Sequence, residues 1–147
     1  MKTLLAAAAA ISVLVLVAPA HADPQRYDNS RGYEQAYNNR GPDEFRRGGY
    51  RELLCTGGPI EKGETLSPYG SFAEVARATF ERLGAPMDAV HAVPSPRVKR
   101  DRTYASAVAL RDWLRQRHRE PFAFNLLTTD THARRTRLLF QRAFGET

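Results

Sequence analysis

The chain has 147 residues, of which 42% are hydrophobic and 26% charged, and its formal net charge is +6. This length suits one small domain. The single cysteine, Cys55, excludes an intramolecular disulfide, and the apolar run around it favours a small buried residue over a nucleophile.

The first 22 residues have the features of a secretory signal. A lone Lys2 precedes an apolar run from Leu4 to Val17, and Ala20-His21-Ala22 follows as a small-x-small cleavage pattern. The apolar run is short for a membrane span, which needs about 20 residues. We therefore expect export to a bacterial periplasm or envelope. Membrane association is expected only if the signal stays uncleaved.

Residues 23–44 are predicted to be a disordered polar tether. They are rich in Tyr, Asn, Arg and Gly and have no apolar period, and such a composition cannot bury enough surface to offset chain entropy. The packed domain is therefore expected over residues 45–147, which is near the lower size limit for an open α/β sheet.

From residue 51 onward, short apolar runs alternate with helical periods, a pattern typical of a parallel α/β sheet. Strands are predicted at residues 52–56, 89–93 and 122–128. The last run is the most apolar, which favours a central strand covered on both faces. The expected fold is a small three-layer Rossmann-like sheet of about three parallel strands, with right-handed crossovers and flanking helices.

One helix is predicted after each strand. The first begins at the capping box Ser71-Phe72-Ala73-Glu74 and ends at Gly84. The second covers about residues 103–118 and the third about 132–144. The side chains expected to face inward are Thr103, Ala107, Leu110 and Leu114 in the second helix, and Thr136, Leu139, Phe140 and Ala143 in the third.

Charge is unevenly distributed along the chain. Residues 23–96 carry nine Lys/Arg and eleven Asp/Glu, whereas residues 97–147 carry twelve and five, a net charge of +7. The C-terminal half should therefore attract anions such as small phosphates, phosphorylated glycans or anionic lipids. Nucleic acid is not the expected partner, because the basic residues are not interleaved with aromatic ones.

The ligand crevice of an open parallel sheet lies outside the carboxyl ends of its strands. Gly57 and Gly58 follow the first strand there, and their backbone N–H groups could approach a phosphate or carboxylate. After the second strand, Asp101 or Thr103 could cap the helix while Arg102 holds an anion. Alternatively, Gly57 and Gly58 form only a tight turn, and Arg102 lies in solvent without a ligand.

The richest polar cluster follows the third strand, in the segment from Thr128 to Arg135. With Thr131 as cap, His132 would lie in the first turn of the helix, where it could act as a general base or donate to a phosphate. One of Arg134 and Arg135 could reach the same ligand. A solvated helix start explains this cluster equally well.

Other chemistries are not predicted. The four histidines show no metal-ligand spacing, so no metal site is expected. The phosphate-loop and dinucleotide-binding fingerprints are missing, as is a serine-hydrolase elbow, so no cofactor is expected either.

The order TGGP, LGAP, VPSP, DRTYASA and LLTTDTHARRTRLLF resembles the YdcF-like domain family, bacterial envelope proteins of the SanA and ElyC group. The resemblance runs from about Phe45 to Gly145. It implies a Rossmann-like fold and a role in cell-wall or surface-polysaccharide metabolism, with no general reaction. It also implies crevice roles for two groups of residues, namely Gly57, Gly58 and Thr103 near the first two strands, and Thr128, His132 and Arg135 near the third.

Two family elements have no counterpart here, an N-terminal strand before residue 45 and a last strand after Gly145. Their absence would expose sheet edges, through which a homodimer could form. The leading hypothesis is an exported domain that binds a phosphate-bearing ligand, such as a glycan or lipid carrier, with His132 as acid/base if it is an enzyme. The alternatives are a non-catalytic interaction protein and a truncated member without activity.

Overall fold

The structure of the chain is a computed structural model, and it describes residues 13–17, 45, 47–61, 67–117, 124–128 and 133–145. For residues 13–17 it describes the backbone. The predicted tether at residues 23–44 lies outside the described residues, as do His132 and Thr131.

Among the described residues, four strands form one mixed sheet. They are β1 (Val13–Val17), β2 (Glu52–Gly57), β3 (Val90–Pro94) and β4 (Phe124–Leu127), in the spatial order β3-β2-β1-β4. β2 and β3 are parallel, as the sequence predicts, in a register that pairs Leu53 with Val90. β1 runs antiparallel to both of its neighbours and pairs Leu14 with Cys55 on one side and with Leu127 on the other.

β1 adds a strand to the predicted sheet. The three predicted strands are present as β2, β3 and β4 and run in the same direction, while the apolar run assigned to the signal supplies a strand antiparallel to its neighbours. The prediction of a central third strand is wrong. β1 separates β4 from β2, so β4 lies at the edge of the sheet and its four residues are only half buried.

Within residues 67–145 of the described chain, three helices pack on the sheet. They are α1 (Phe72–Arg82), α2 (Arg102–Gln116) and α3 (Ala133–Phe144). The predicted capping box of α1 is confirmed, with Ser71 as the N-cap and Glu74 returning the second bond. All four inward residues predicted for α2 are buried, and so are Thr136, Phe140 and Ala143 of α3, whereas Leu139 is half buried.

The structure has the three-layer α/β architecture that the sequence predicts. Successive residues of β2 face opposite sides of the sheet. Leu54 packs beneath α2 and α3 with Leu110 and Phe140, and Leu53 packs on the other side with Phe80 of α1. β2 is thus covered on both faces, and its carboxyl end lies where the helices begin.

Candidate functional site

The loops that follow β2 and β3 meet at the carboxyl edge of the sheet. The backbone N–H of Ser95, just after β3, donates to the Gly57 carbonyl at 3.0 Å. The N–H of Phe72, at the start of α1, donates to the Gly58 carbonyl at 2.9 Å. These bonds fix the glycine turn beside both loops, so the edge is built on backbone contacts.

The two predicted glycines have different surroundings. A Cβ added at Gly57 would lie 2.9 Å from both the Ala73 nitrogen and the Phe72 Cβ, so Gly57 is required by its packing against α1. At Gly58 the nearest atom to such a Cβ is Ser95 Oγ, at 3.6 Å, an ordinary contact. Gly58 could therefore carry a side chain without displacing its neighbours, unlike Gly57.

The start of α2 departs from the usual capping geometry. Asp101 occupies the N-cap position, but its backbone is left-handed, with φ 55° and ψ 39°, and its side chain makes no capping hydrogen bond within the described residues. Thr103, the other predicted cap, is the second residue of the helix and is buried. The first turn of α2 contains no acidic residue, so the positive end of its dipole is left open.

Ion pairs connect the three loops across this edge. Arg102, the first residue of α2, donates from NH2 to Oε2 of Glu61, in the loop after β2, at 3.2 Å. Asp101 lies 3.8 Å from NH2 of Arg135, in the first turn of α3. The side chains of Arg102 and Arg135 are 62% and 67% exposed. The predicted pair of crevice arginines therefore lies at one edge, each beside a carboxylate and open to solvent.

A buried hydroxyl pair lies beneath the same edge. Ser106 Oγ, on α2, donates to Ser95 Oγ at 3.2 Å, and both residues are buried. Ser95 Oγ also lies 3.6 Å from the position that a Cβ at Gly58 would occupy. Neither serine is predicted from the sequence as a site residue. The available signal was their place in VPSP and DRTYASA, one at a strand end and the other one turn into the next helix.

Thr128 follows β4 at the third carboxyl end. Its Oγ1 is buried and has no hydrogen-bond partner among the described residues. A buried hydroxyl without a partner costs about 1–3 kcal/mol. Of the predicted residues after β4, Thr128 and Arg135 are described, whereas His132 lies outside the described residues.

The remaining polar candidates do not add a reactive group to this edge. Burial raises the pKa of the Cys55 thiol to about 12, with a smaller opposing effect from the nearby Arg77 charge. This thiol is therefore neutral at physiological pH and unsuited to nucleophilic attack. Among the described residues, no group of three or more His, Cys, Asp or Glu is arranged to hold a metal ion.

Together, the described residues form an edge with a helix N-terminus that lacks a side-chain capping bond, two exposed guanidinium groups, a glycine turn and a buried hydroxyl pair. This set of donors can bind an anion. We define the carboxyl-edge crevice by Gly58, Ser95, Arg102, Thr103 and Arg135. A scan against models of protein families, a search of curated proteins and a search of solved structures each found no match.

Proposed function

We propose that the carboxyl-edge crevice binds an anionic, phosphate-bearing ligand. The observation that carries this proposal is the start of α2, where Asp101 leaves the helix uncapped and Arg102 stands as its first residue. A phosphate placed there would accept from the first N–H groups of the helix and face the positive end of its dipole.

The ion pairs of the two arginines support the proposal, because they are exchangeable. Exposed pairs such as Arg102 with Glu61 and Arg135 with Asp101 contribute only about 0–1 kcal/mol. Charge-assisted hydrogen bonds to a phosphate are stronger than neutral ones and can be bidentate. Both guanidinium groups can therefore leave their carboxylates for a bound phosphate without a large loss of stability.

The class of ligand is proposed from the sequence. The resemblance to the YdcF-like family favours an envelope metabolite, either a phosphorylated glycan or a phosphorylated lipid carrier. If the protein is an enzyme, transfer or hydrolysis at that phosphate is the chemistry we propose, with His132 as acid/base. The binding proposal does not depend on this step.

Calorimetric titration of the full chain with inorganic phosphate, a sugar phosphate and a short-chain isoprenyl phosphate tests binding. We expect saturable binding that weakens as salt is raised. Replacing both Arg102 and Arg135 with Gln should weaken it at least 100-fold, because each charge-assisted bond contributes about 1.5–3 kcal/mol.

The matched control is the double variant Arg82→Gln with Arg115→Gln. Both arginines are also exposed, but they lie in the last turns of α1 and α2. The control has the same net charge as the variant that lacks Arg102 and Arg135. It should bind phosphate within about twofold of the wild type, because charges farther away than a Debye length of about 10 Å are screened. Equal losses in the two double variants would show that general charge, and not the crevice, attracts the anion.

Export is proposed from the N-terminal signal, and the fold makes it testable. Cleavage after Ala22 would remove β1 and expose the facing edges of β2 and β4, which a second copy could then cover. The intact mass of the protein recovered from a periplasmic fraction shows whether residues 1–22 are retained. A processed chain should elute as a dimer. A processed monomer would contradict pairing through these edges.

A further inference from the structure

The solvent-facing side of α3 is basic and carries an exposed leucine. Arg134, Arg137, Leu138 and Arg142 are exposed, and their spacing of three and four residues places them on one face of the helix. Leu138 is 57% exposed and is the one exposed large hydrophobic side chain among the described residues. The opposite face, with Thr136, Phe140 and Ala143, is buried.

We propose that this face of α3 docks on a bilayer surface that contains anionic phospholipid. Charge complementarity selects this occupant, because α3 carries four arginines and no acidic residue over its 12 residues. The apolar face of α3 packs on the sheet, so the attraction to the bilayer would come mainly from the basic residues, as for a polybasic surface near anionic headgroups. The guanidinium groups would contact phosphate headgroups while Leu138 enters the acyl boundary.

The position of the arginines adds a second argument. Arg134 lies in the first turn of α3, where the positive end of the helix dipole disfavours a cation, and that turn contains no acidic residue. Contact with an anionic surface would favour this placement, since headgroup phosphates would face the arginine.

The docking face is separate from the phosphate crevice. Arg135 belongs to the crevice and is left unchanged in the test, as is Arg142, whose guanidinium lies 5.9 Å from the centre of the Tyr104 ring. The test variants are therefore Arg134→Gln with Arg137→Gln, and Leu138→Ser. A third variant with Lys at positions 134 and 137 keeps the charge.

Flotation of the full chain with vesicles measures docking. The vesicles contain phosphatidylglycerol and phosphatidylcholine in equal parts, or phosphatidylcholine alone. We expect binding to the anionic vesicles only, and its loss at high salt. Each basic residue near such a surface raises partitioning about fivefold, so the double Gln variant should lose about 25-fold and the Lys variant should retain binding. Leu138→Ser should lose about fivefold.

The control is Arg47→Gln with Arg82→Gln, two exposed arginines away from α3. It should bind within twofold of the wild type. The proposal is overturned if this control loses as much as the α3 variant, or if neutral vesicles bind equally well. It is also overturned if Leu138→Ser binds like the wild type while duplex DNA competes for the same arginines, because α3 would then be a general polyanion site.

The vesicle test and the phosphate test fail independently. The α3 variants keep Arg102 and Arg135, so they should bind soluble phosphate like the wild type. Loss of vesicle binding with retained phosphate binding assigns docking to α3. Loss of both in these variants would indicate one shared anion site and would contradict a separate docking face.

Discussion

The starts of α1 and α2 lie at the same edge of the sheet and are built in opposite ways. At α1, the Glu74 carboxylate accepts from the backbone of Gly70 at 2.8 Å and of Ser71 at 2.9 Å, while Ser71 Oγ accepts from the Glu74 N–H at 3.2 Å. At α2, Asp101 points its carboxylate toward Arg135 instead. The start of α1 is closed by its own side chains, whereas the start of α2 has no side-chain capping bond.

Because the two helix starts differ in this way, substitutions at each should affect different properties of the protein. At the start of α1, Glu74 and Ser71 already accept from the backbone N–H groups, so a second anion there would find few available donors. The start of α2 has Arg102 in its first turn and no side-chain capping bond, and the Asp101 carboxylate beside it faces Arg135. Substitutions at α1 should therefore change the free energy of unfolding, whereas those at α2 should change affinity.

The largest expected effect is that of Gly57→Ala. The new Cβ would lie 2.9 Å from the Ala73 nitrogen, so the start of α1 would have to move away from β2. We expect a loss of about 2–3 kcal/mol in the free energy of unfolding, measured by urea denaturation.

The matched control for that prediction is Gly58→Ala. Its Cβ has only Ser95 Oγ nearby, at 3.6 Å, and Gly58 is not among the glycines with positive φ. Stability should change by less than about 1 kcal/mol, while phosphate affinity should fall because the Cβ occupies space beside the crevice. Equal destabilisation by both substitutions would contradict the different roles assigned to the two glycines.

Removing the cap at the start of α1 should lower stability less than Gly57→Ala does. Ser71→Ala removes the side-chain acceptor of the capping box and should lower stability by about 1 kcal/mol. Thermal unfolding followed by circular dichroism measures the loss. Phosphate affinity should stay unchanged, and a gain in affinity would show that α1 can also serve as an anion site once uncapped.

The smallest effect on stability is expected at the start of α2. Asp101→Gly relieves a left-handed non-glycine backbone and should raise stability by about 0.5–1 kcal/mol. It also removes a carboxylate that competes for Arg135, so phosphate should bind about threefold more tightly. A loss of stability in this variant would mean that the Asp101 side chain supports the helix after all.

The features that the sequence predicts correctly are those that depend on a few consecutive residues. The capping box at Ser71 and Glu74 depends on four consecutive residues, and it was predicted correctly. Asp101 also precedes a helix and was a candidate cap, yet the turn after β3 gives it a left-handed backbone that a one-dimensional pattern does not show. Ser95 and Ser106 come together only because β3 and α2 pack against each other.

The sheet shows the same limit at longer range. An apolar run such as Val13–Val17 fits both a secretory signal and a buried strand, since each requires only continuous hydrophobicity. Its antiparallel pairing with β2 and β4 joins segments that are far apart in the sequence. The edge position of β4 followed from that pairing, so its apolar composition alone gave the wrong place in the sheet.

Backbone amide shifts during a phosphate titration test the central claim most directly. In ¹⁵N–¹H spectra of the full chain, the amides of Arg102, Thr103 and Tyr104 should shift saturably as phosphate is added. The amides of Ala73 and Glu74, at the closed start of α1, should remain in place. Equal shifts at both helix starts, or none at α2, would contradict the account.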